Sequence, residues 1–428
     1  MFHDSSKENF FYDNFLKNPD KNLSRISNIL LKLGNPEANL ENTIHIAGTN
    51  GKGSTLAFLK SCLIENSYSV NALISPHLMS LNERIIINNE IIDDVSLEKV
   101  MKKCLKILNN EKISFFEFIT ACSFELFSKN SSDWNLIEVG MGGSYDATNV
   151  LLKKDLSIIT PISIDHEFYL GNTIQEIAKE KLGIINQKSI AVFGPQEDSL
   201  KEVILECLNQ KNSKGFFYKD DWDIKKINNK IIYEDKDNNL EIESIGLKGS
   251  HQIINAGMCI AALKILEKNG KIKINDNQIK HGLKKIDWPG RLSILSGKLN
   301  NIINKNCDIW LDGCHNPAAS EVIADEIKNM DKERKKETIL ILGMSKDKNI
   351  GKFIDNFFDV SKEIIIIPLE NKPSINLEEA INAVNNLDYN ISKKLSIIDA
   401  LESLSGRDNL RVLICGSLYL VAETLSLN

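Results

Sequence analysis

The sequence predicts an α/β protein of two domains, each built on a mostly parallel sheet with helices against its faces. Three features of its 428 residues carry that prediction. Short, almost unbroken apolar runs alternate with helix-length stretches, as strands joined by crossover helices do. Several runs stop at Gly, Ser or Asp, which puts polar residues at strand carboxyl ends, where ligands of such sheets bind. The pattern also restarts in the last third of the chain, whose length exceeds what one compact core organises.

Residues 10–40 read as an amphipathic helical region, with Ile26, Ile29, Leu30 and Leu33 on one face and Gly34-Asn35-Pro36 as its stop. Ile44-His45-Ile46-Ala47 reads as a strand that breaks into glycines and then enters a helix. Val70 to Ile74 is a second strand, ending at Ser75-Pro76-His77. Arg84 to Ile92, with Asn88-Asn89 at its centre, reads as a hairpin. Helices are expected at 96–109 and 116–129. Strands are expected at 135–139, entering Gly140-Met141-Gly142-Gly143, and at 156–160, opening onto Asp165-His166. Alternating runs over 216–247 predict a small antiparallel patch, and a helix is expected at 251–268. The first domain is assigned residues 1–295, closing around Trp288-Pro289-Gly290-Arg291. In the second, 296–428, apolar runs at 309–311, 338–342, 363–367 and 411–414 suit strands covered on both faces.

Composition narrows the function classes. With 42% hydrophobic and 26% charged residues, the chain is an ordinary globular one. A net charge of −6 gives no general attraction for nucleic acid. Its eight cysteines include no C-x-x-C pair, which fits neither a zinc site nor a disulfide framework. No run approaches the roughly 18 apolar residues of a membrane span, and the first residues hold no apolar signal core. The expectation is a cytoplasmic protein, monomeric, working without nucleic acid or membrane.

The chemistry begins at Gly48-Thr49-Asn50-Gly51-Lys52-Gly53-Ser54. A glycine turn between strand and helix lets backbone N–H groups close on an oxyanion, with the positive helix end behind them. Lys52 adds a mobile cation, and Ser54 or Thr55 a hydroxyl for magnesium. A nucleoside triphosphate suits such a turn. The stretch departs from G-x-x-x-x-G-K-[ST]: Gly48 is three residues before Gly51, and Gly53 stands where Ser or Thr should follow the lysine. Glu138 is the lone charge in an apolar strand, just before glycines, and a hard cation takes carboxylate oxygen. His166 follows Asp165 at another strand end. Lys181 lies on a helix whose buried side is marked by Ile177, Ile184 and Ile185. An inward lysine near magnesium would need its charge changed, and a carbamate formed with carbon dioxide does that. Asn255 has an amide suited to a base edge, Arg291 a guanidinium suited to phosphate, and Asp312 a carboxylate suited to ribose hydroxyls.

Taken with Asn82-Glu83-Arg84-Ile85, Asp146-Ala147-Thr148-Asn149, Glu180-Lys181-Leu182-Gly183-Ile184, His251-Gln252-Ile253-Ile254-Asn255-Ala256, Asp312-Gly313-Cys314-His315-Asn316-Pro317 and Gly416-Ser417-Leu418-Tyr419, these segments resemble the folylpolyglutamate synthase and dihydrofolate synthase family. They run in family order from about residue 20 to the C-terminus. The family belongs with the Mur ligases, whose loop has the same Gly-Thr-Asn-Gly-Lys core. The resemblance implies a Mur-ligase-like P-loop ATPase domain and a smaller, Rossmann-like C-terminal domain. It also implies amide synthesis: ATP converts a carboxylate to an acyl phosphate, and the amine of L-glutamate displaces phosphate. The acceptor would be dihydropteroate, a reduced folate, or both.

By that resemblance, Gly48, Thr49, Asn50, Gly51, Lys52, Gly53 and Ser54 hold phosphates. Asn255, Arg291 and Asp312 bind the rest of ATP. Ser54, Ser75, Glu138 and His166 are magnesium ligands, two ions being expected, and Lys181 is carbamylated. Lys52, Glu138, His166 and Lys181 are the catalytic set, and His315 and Ser417 contact glutamate. The family commonly has Ala where Leu182 stands, which adds bulk beside Lys181. Four competing readings are weaker. A dinucleotide oxidoreductase would need glycine at Tyr145 to complete G-x-G-x-x-G. A GTPase-like switch would need an Asn-Lys-x-Asp motif, which is missing. Within the ligases, a Mur-type enzyme loading a sugar-nucleotide peptide, or folylpolyglutamate synthesis alone, stands second.

Overall fold

A computed structural model describes residues 15–16, 22–370, 373–384 and 389–428. Two compact units emerge, Met1–Gly246 with Gln252–Ile286, and Leu247–His251 with Asp287–Asn428. Residues 287–295, assigned from the sequence to the first domain, fall in the second unit. The reason is pairing: the short strand Ser293–Ile294 lies antiparallel to Asp308–Leu311.

The first unit is organised by an eight-stranded sheet in the order β4-β3-β2-β5-β1-β6-β7-β8. Its strands are β1 Thr43–Ala47, β2 Val70–Leu73, β3 Ile85–Ile87, β4 Glu90–Ile91, β5 Trp134–Glu138, β6 Leu156–Ile159, β7 Ile190–Phe193 and β8 Lys214–Phe217. From β2 to β8 every pair is parallel. Only β3 runs against it, antiparallel to both β2 and β4 and joined to β4 by a turn at Asn88 (φ 46°) and Asn89 (φ 80°). β1, β2, β5 and β6 are buried along their whole length, so both sheet faces are covered and the apolar runs are continuous. Parallel register sets Ile46 opposite Glu138 and Ala47 opposite Ile159, which brings the residues after these strands to one edge.

Helices Asp94–Leu108 and Phe115–Phe127 fall where the sequence places them, each started by a side-chain cap, from Asp93 and Ser114. The expected region 10–40 is narrower: the helix is Ser24–Leu33, ended by left-handed Gly34, and residues 10–14 and 17–21 lie outside the described residues. The antiparallel patch is β9 Trp222–Ile227, β10 Lys230–Asp235 and β11 Asn239–Ile242. Residues 216–217, expected within it, instead belong to β8, where Phe217 stacks on Phe193 of β7 at 4.8 Å.

In the second unit the order is β12-β13-β17-β14-β15-β16, with β12 Ser293–Ile294, β13 Asp308–Leu311, β14 Glu337–Leu342, β15 Ser361–Ile366, β16 Asn390–Lys393 and β17 Leu410–Cys415. All pairs but β12-β13 are parallel. Trp310, Leu340, Leu342, Ile364, Ile366 and Leu413 form its core with Phe353 from helix Ile350–Asp355 and Phe357 from the turn that follows it. The strands expected from the four apolar runs are all present.

Candidate active site

The phosphate loop leaves β1 at Gly48, where φ is +143° and an added Cβ would sit 1.9 Å from the Thr160 hydroxyl oxygen. Only glycine lets the chain pass that close to the end of β6. Thr49 is tied down twice. Its hydroxyl donates to the Ser163 carbonyl at 2.9 Å and accepts the Ser163 N–H at 3.0 Å. The Thr49 and Asn50 N–H groups both point at the Pro161 carbonyl, 3.0 and 3.4 Å away. Gly51, at φ +90°, is the turn into helix Lys52–Glu65, which has no side-chain N-cap and no acid in its first turn. A helix start left uncapped and unneutralised favours an anion. Gly53, Ser54 and Thr55 are buried in that first turn, and Lys52 folds back onto the carbonyls of Gly48 and Thr49, each at 3.1 Å.

Asn255 lies against this turn. A Cβ on Gly51 would be 2.5 Å from its Oδ1, while its Nδ2 donates to Gln252 at 2.9 Å. The residue expected at a base edge is therefore packed beside the phosphate loop, in helix Ser250–Lys268.

Glu138 ends β5, almost fully buried, and its carboxylate accepts the Ser75 N–H at 3.1 Å. Two of the expected magnesium ligands are thus adjacent. Ser75 is positioned in turn by Arg84, whose Nη1 donates to the Ser75 hydroxyl at 3.4 Å and whose Nε donates to His77 Nδ1 at 2.8 Å. Glu83 gathers the N–H groups of Leu78, Met79 and Ser80, closing the loop. His166 follows the segment after β6 in a left-handed conformation (φ +55°), its N–H donating to Asp165 at 2.8 Å. Among the described residues no three His, Cys, Asp or Glu side chains form a metal cage. The donor set fits magnesium all the same, because that ion is ordinarily held by one or two carboxylates together with substrate phosphates and water.

Lys181 is 4% exposed, and its Nζ donates to the Gly48 carbonyl at 2.9 Å. Burial first, then the neighbouring charge of Lys52, pushes its ammonium down to about 7, against the pull of Asp165, Asp146 and Glu180. Its helix, Ile174–Leu182, rests on the glycine run after β5. A Cβ on Gly143 would lie 2.4 Å from the Glu180 carbonyl oxygen, and Ser144 N–H donates to that oxygen at 2.8 Å. Gly143 is therefore a packing surface for the lysine helix, while Gly140 packs against the Phe116 ring and Gly142 against Leu170. Leu182 fills core space with Ile177, Ala178, Ile184 and Ile185, so the bulk expected to crowd Lys181 points into the interior.

In the second unit four expected residues converge at the carboxyl ends of β13 and β17. Asp312 is buried, its two oxygens accepting the N–H groups of Leu292 and Cys314, each at 2.7 Å. Arg291 lies over Gly313, where a Cβ would be 2.8 Å from its Nη1. His315 Nδ1 is 3.1 Å from the Gly313 carbonyl. Ser417 caps helix Leu418–Leu427 by accepting the Tyr419 N–H at 3.1 Å. Sequence reasoning assigned no role to His251, whose pKa is lowered mainly by burial while Asp312 and Glu326 oppose and Arg291 adds to the shift. Its motif was visible. Lys154 and Lys211, which hold the end of the Lys181 helix, had no such signal.

Residues 46–263 match the Mur ligase middle domain family, and residues 295–427 match the C-terminal domain of dihydrofolate synthetase. The chain is 30% identical over 425 residues to the dihydrofolate synthetase of Saccharomyces cerevisiae, covering 95% of this chain and 97% of that one. It is 30% identical to the dihydrofolate synthase/folylpolyglutamate synthase of Bacillus subtilis, with 94% and 93% covered. E. coli FolC in complex with DHPP and ADP shares the fold at a TM-score of 0.86 and 24% identity, over 99% and 97% of the two chains. The bifunctional folylpolyglutamate synthase/dihydrofolate synthase of Yersinia pestis, complexed with AMPPNP and Mn ion, does so at 0.85 and 22%, over 99% and 97%.

Proposed function

The chain belongs to the dihydrofolate synthase and folylpolyglutamate synthase family of Mur-type ligases, and from that premise we propose that it joins L-glutamate both to dihydropteroate and to reduced folates, using ATP. The observation that carries this reading is Lys181: a buried lysine aimed into a phosphate loop whose helix start is uncapped.

A carboxylate resists attack by an amine, so it is first activated. A carboxylate oxygen bonds to the γ-phosphorus of ATP, the bond to the β-phosphate oxygen breaks, and ADP is left. The glutamate amine then bonds to the carbonyl carbon, the carbon–oxygen bond to phosphate breaks, and phosphate and a proton depart. Such phosphoryl transfer depends mainly on positioning and neutralisation of charge. The loop Gly48–Ser54 and Lys52 bind and orient the triphosphate. By the family resemblance, nucleotide binding is assigned also to Asn255 beside the loop and, in the second unit, to Arg291 and Asp312, with His315 and Ser417 assigned to glutamate.

Ser54, Ser75, Glu138 and His166 would hold magnesium, which supplies neutralising charge at the phosphates. These donors lie on four segments, which suits two ions rather than one. Lys181, with an ammonium down at about 7, presents a neutral amine to carbon dioxide. Its Nζ bonds to the carbon and a proton leaves for solvent, so a repelling cation becomes an anionic oxygen donor. One chain holds the whole residue set, so a monomer suffices, with no role for nucleic acid or membrane; no described helix is long and apolar enough to span one. Eight free thiols suit a reducing cytoplasm.

The test is to assay purified protein with magnesium, ATP and L-glutamate, offering dihydropteroate and tetrahydrofolate separately. Glutamate-dependent ADP release and a product heavier by one glutamate are expected with each. Silence with one acceptor removes that half of the proposal, and silence with both removes it entirely.

A further inference from the structure

The helix that carries Lys181 ends at Leu182, and its last carbonyls would ordinarily face water or a cap. Here the Leu182 carbonyl and those of the following turn, Gly183 to Ile185, face two lysines from distant parts of the first unit. Lys211 donates to the carbonyls of Leu182 at 3.2 Å, Gly183 at 3.4 Å and Ile185 at 2.6 Å, using all three of its N–H groups. Lys154 donates to the Ile184 carbonyl at 2.8 Å and to Asn149 Oδ1 at 2.7 Å. Asn149 then donates to the Ser144 carbonyl at 3.1 Å and the Gly183 carbonyl at 3.4 Å. Two lysine side chains converge on one carbonyl cluster, and the charge of Lys211 adds to the burial that lowers the Lys154 ammonium to about 7. Cations at a helix carboxyl end are favourable, and here they also fix a position.

That position has little slack. Ser144 and Gly183 are in such contact that a Cβ on Gly183 would lie 2.1 Å from the Ser144 hydroxyl oxygen. The glycine run thus blocks the helix on one side while the lysines hold its end. Nothing in this arrangement touches the phosphate loop except through Lys181 itself, whose Nζ meets Gly48.

We propose that Lys154 and Lys211 are positioning residues for Lys181, clamping the turn from Glu180 to Ile185 so that the Lys181 amine is held at the phosphate loop where it can carry a carbamate. The inference rests on the carbamate reading given above. A shift of about 1 Å at a reacting group is enough to lower its effectiveness by large factors, so releasing the clamp acts on Lys181 without altering any group that binds nucleotide.

The experiment equilibrates the full-length wild type, Lys154→Met, Lys154→Arg and Lys211→Met with 13C-labelled bicarbonate and measures the carbamate carbon by NMR, with circular dichroism checking the fold. Wild type is expected to give a carbamate resonance that Lys181→Ala lacks. Lys154→Met is expected to lose it by at least about five-fold at the same bicarbonate concentration. Lys154→Arg, which can still reach the Ile184 carbonyl, is expected to retain most of it. If Lys154→Met does not fold, Lys211→Met is read in its place against the same threshold. A wild-type resonance that persists unchanged in the folded methionine variant overturns the clamp alone. No resonance in wild type overturns the carbamate reading, and the clamp with it.

Discussion

Lys181 donates to the carbonyl of Gly48 across 2.9 Å, linking residues 133 positions apart in sequence. The contact joins a helix after β6 to the phosphate loop after β1, and it does so at a carbonyl that Lys52 also approaches, at 3.1 Å. Two ammonium groups at one oxygen repel, which is part of why the Lys181 proton is easily lost. Replacing Lys181 with Ala is expected to remove most turnover, by at least about a hundred-fold, with nucleotide binding retained. Added short carboxylates should restore part of the rate by occupying the vacated volume as oxygen donors. A fully active Lys181→Ala enzyme in the ADP-release assay would contradict the assignment.

The loop glycines make a second, steric prediction. Gly51→Ala places a methyl group 2.5 Å from the Asn255 Oδ1 at a φ of +90°, and Gly48→Ala places one 1.9 Å from the Thr160 hydroxyl oxygen at +143°. Each is expected to weaken ADP binding by at least about ten-fold, ~1.4 kcal/mol, as measured by titration calorimetry. Gly34→Ala is the control, since its φ is also positive (+91°) but nothing lies within 4 Å. It should lower stability by roughly 1 kcal/mol and leave nucleotide affinity unchanged.

How much of this was readable before any coordinates follows from what each residue's partners are. The loop from Gly48 to Ser54 was legible because strand, glycines and lysine adjoin in sequence, and phosphate binding is a property of that one stretch. Glu138 was legible because a charge interrupts an apolar run. The Gly140–Gly143 run was ambiguous for the opposite reason: Gly140 answers to the Phe116 ring, Gly142 to Leu170 and Gly143 to the Glu180 and Lys181 backbone, neighbours that sequence does not place beside them. Lys154 and Lys211 were invisible, since a lysine in a loop or at a helix end is usually a solvated charge. β7 gave no separate signal in the sequence, and the end of β8, Phe216-Phe217, reads there as the start of the antiparallel patch. Pairing with β7 makes it a strand.

Arg84 gives a third prediction, about the loop that holds Ser75. Its guanidinium is buried, donates to Ser75 and His77, and lies 5.5 Å from the Phe115 ring centroid. Because it donates to His77 Nδ1, the neutral ring must carry its own proton on Nε2. Arg84→Ala is expected to free both side chains, raising the magnesium concentration needed for half-maximal rate by about three- to ten-fold. Lys cannot reproduce the fork, so Arg84→Lys should behave much as Arg84→Ala does. A magnesium titration of initial rates distinguishes this from a general loss of activity, which would lower the plateau without moving the midpoint.

Stability should depend on pH through the two buried lysines. Burial holds both Lys154 and Lys181 at about 7, below the 10.5 of an unfolded chain. Between those values the unfolded chain binds protons that the folded chain does not, so stability rises with pH. Below about 7 both states are protonated, and the penalty of burying the charges is fully present. The limiting slope is about 1.4 kcal/mol per pH unit for each lysine. The window from about pH 7 to 8.5 is the informative one, although Glu423, raised to about 7 by burial and the charge of Glu370, opposes the lysines at its lower edge, equally in wild type and Lys154→Met. Histidines whose pKa burial lowers, His45 and His251, act below it. Buried thiols raised by desolvation, Cys122, Cys259 and Cys314, act above it and in the opposite sense, since only the unfolded chain then loses their protons. Urea unfolding in carbon dioxide-free buffer at both ends of the window should show wild type gaining stability as pH rises. Lys154→Met should gain roughly half as much, Lys181 supplying the remainder. Equal gains in the two proteins would mean that Lys154 stays charged at its carbonyls throughout, and that those contacts compensate its burial fully.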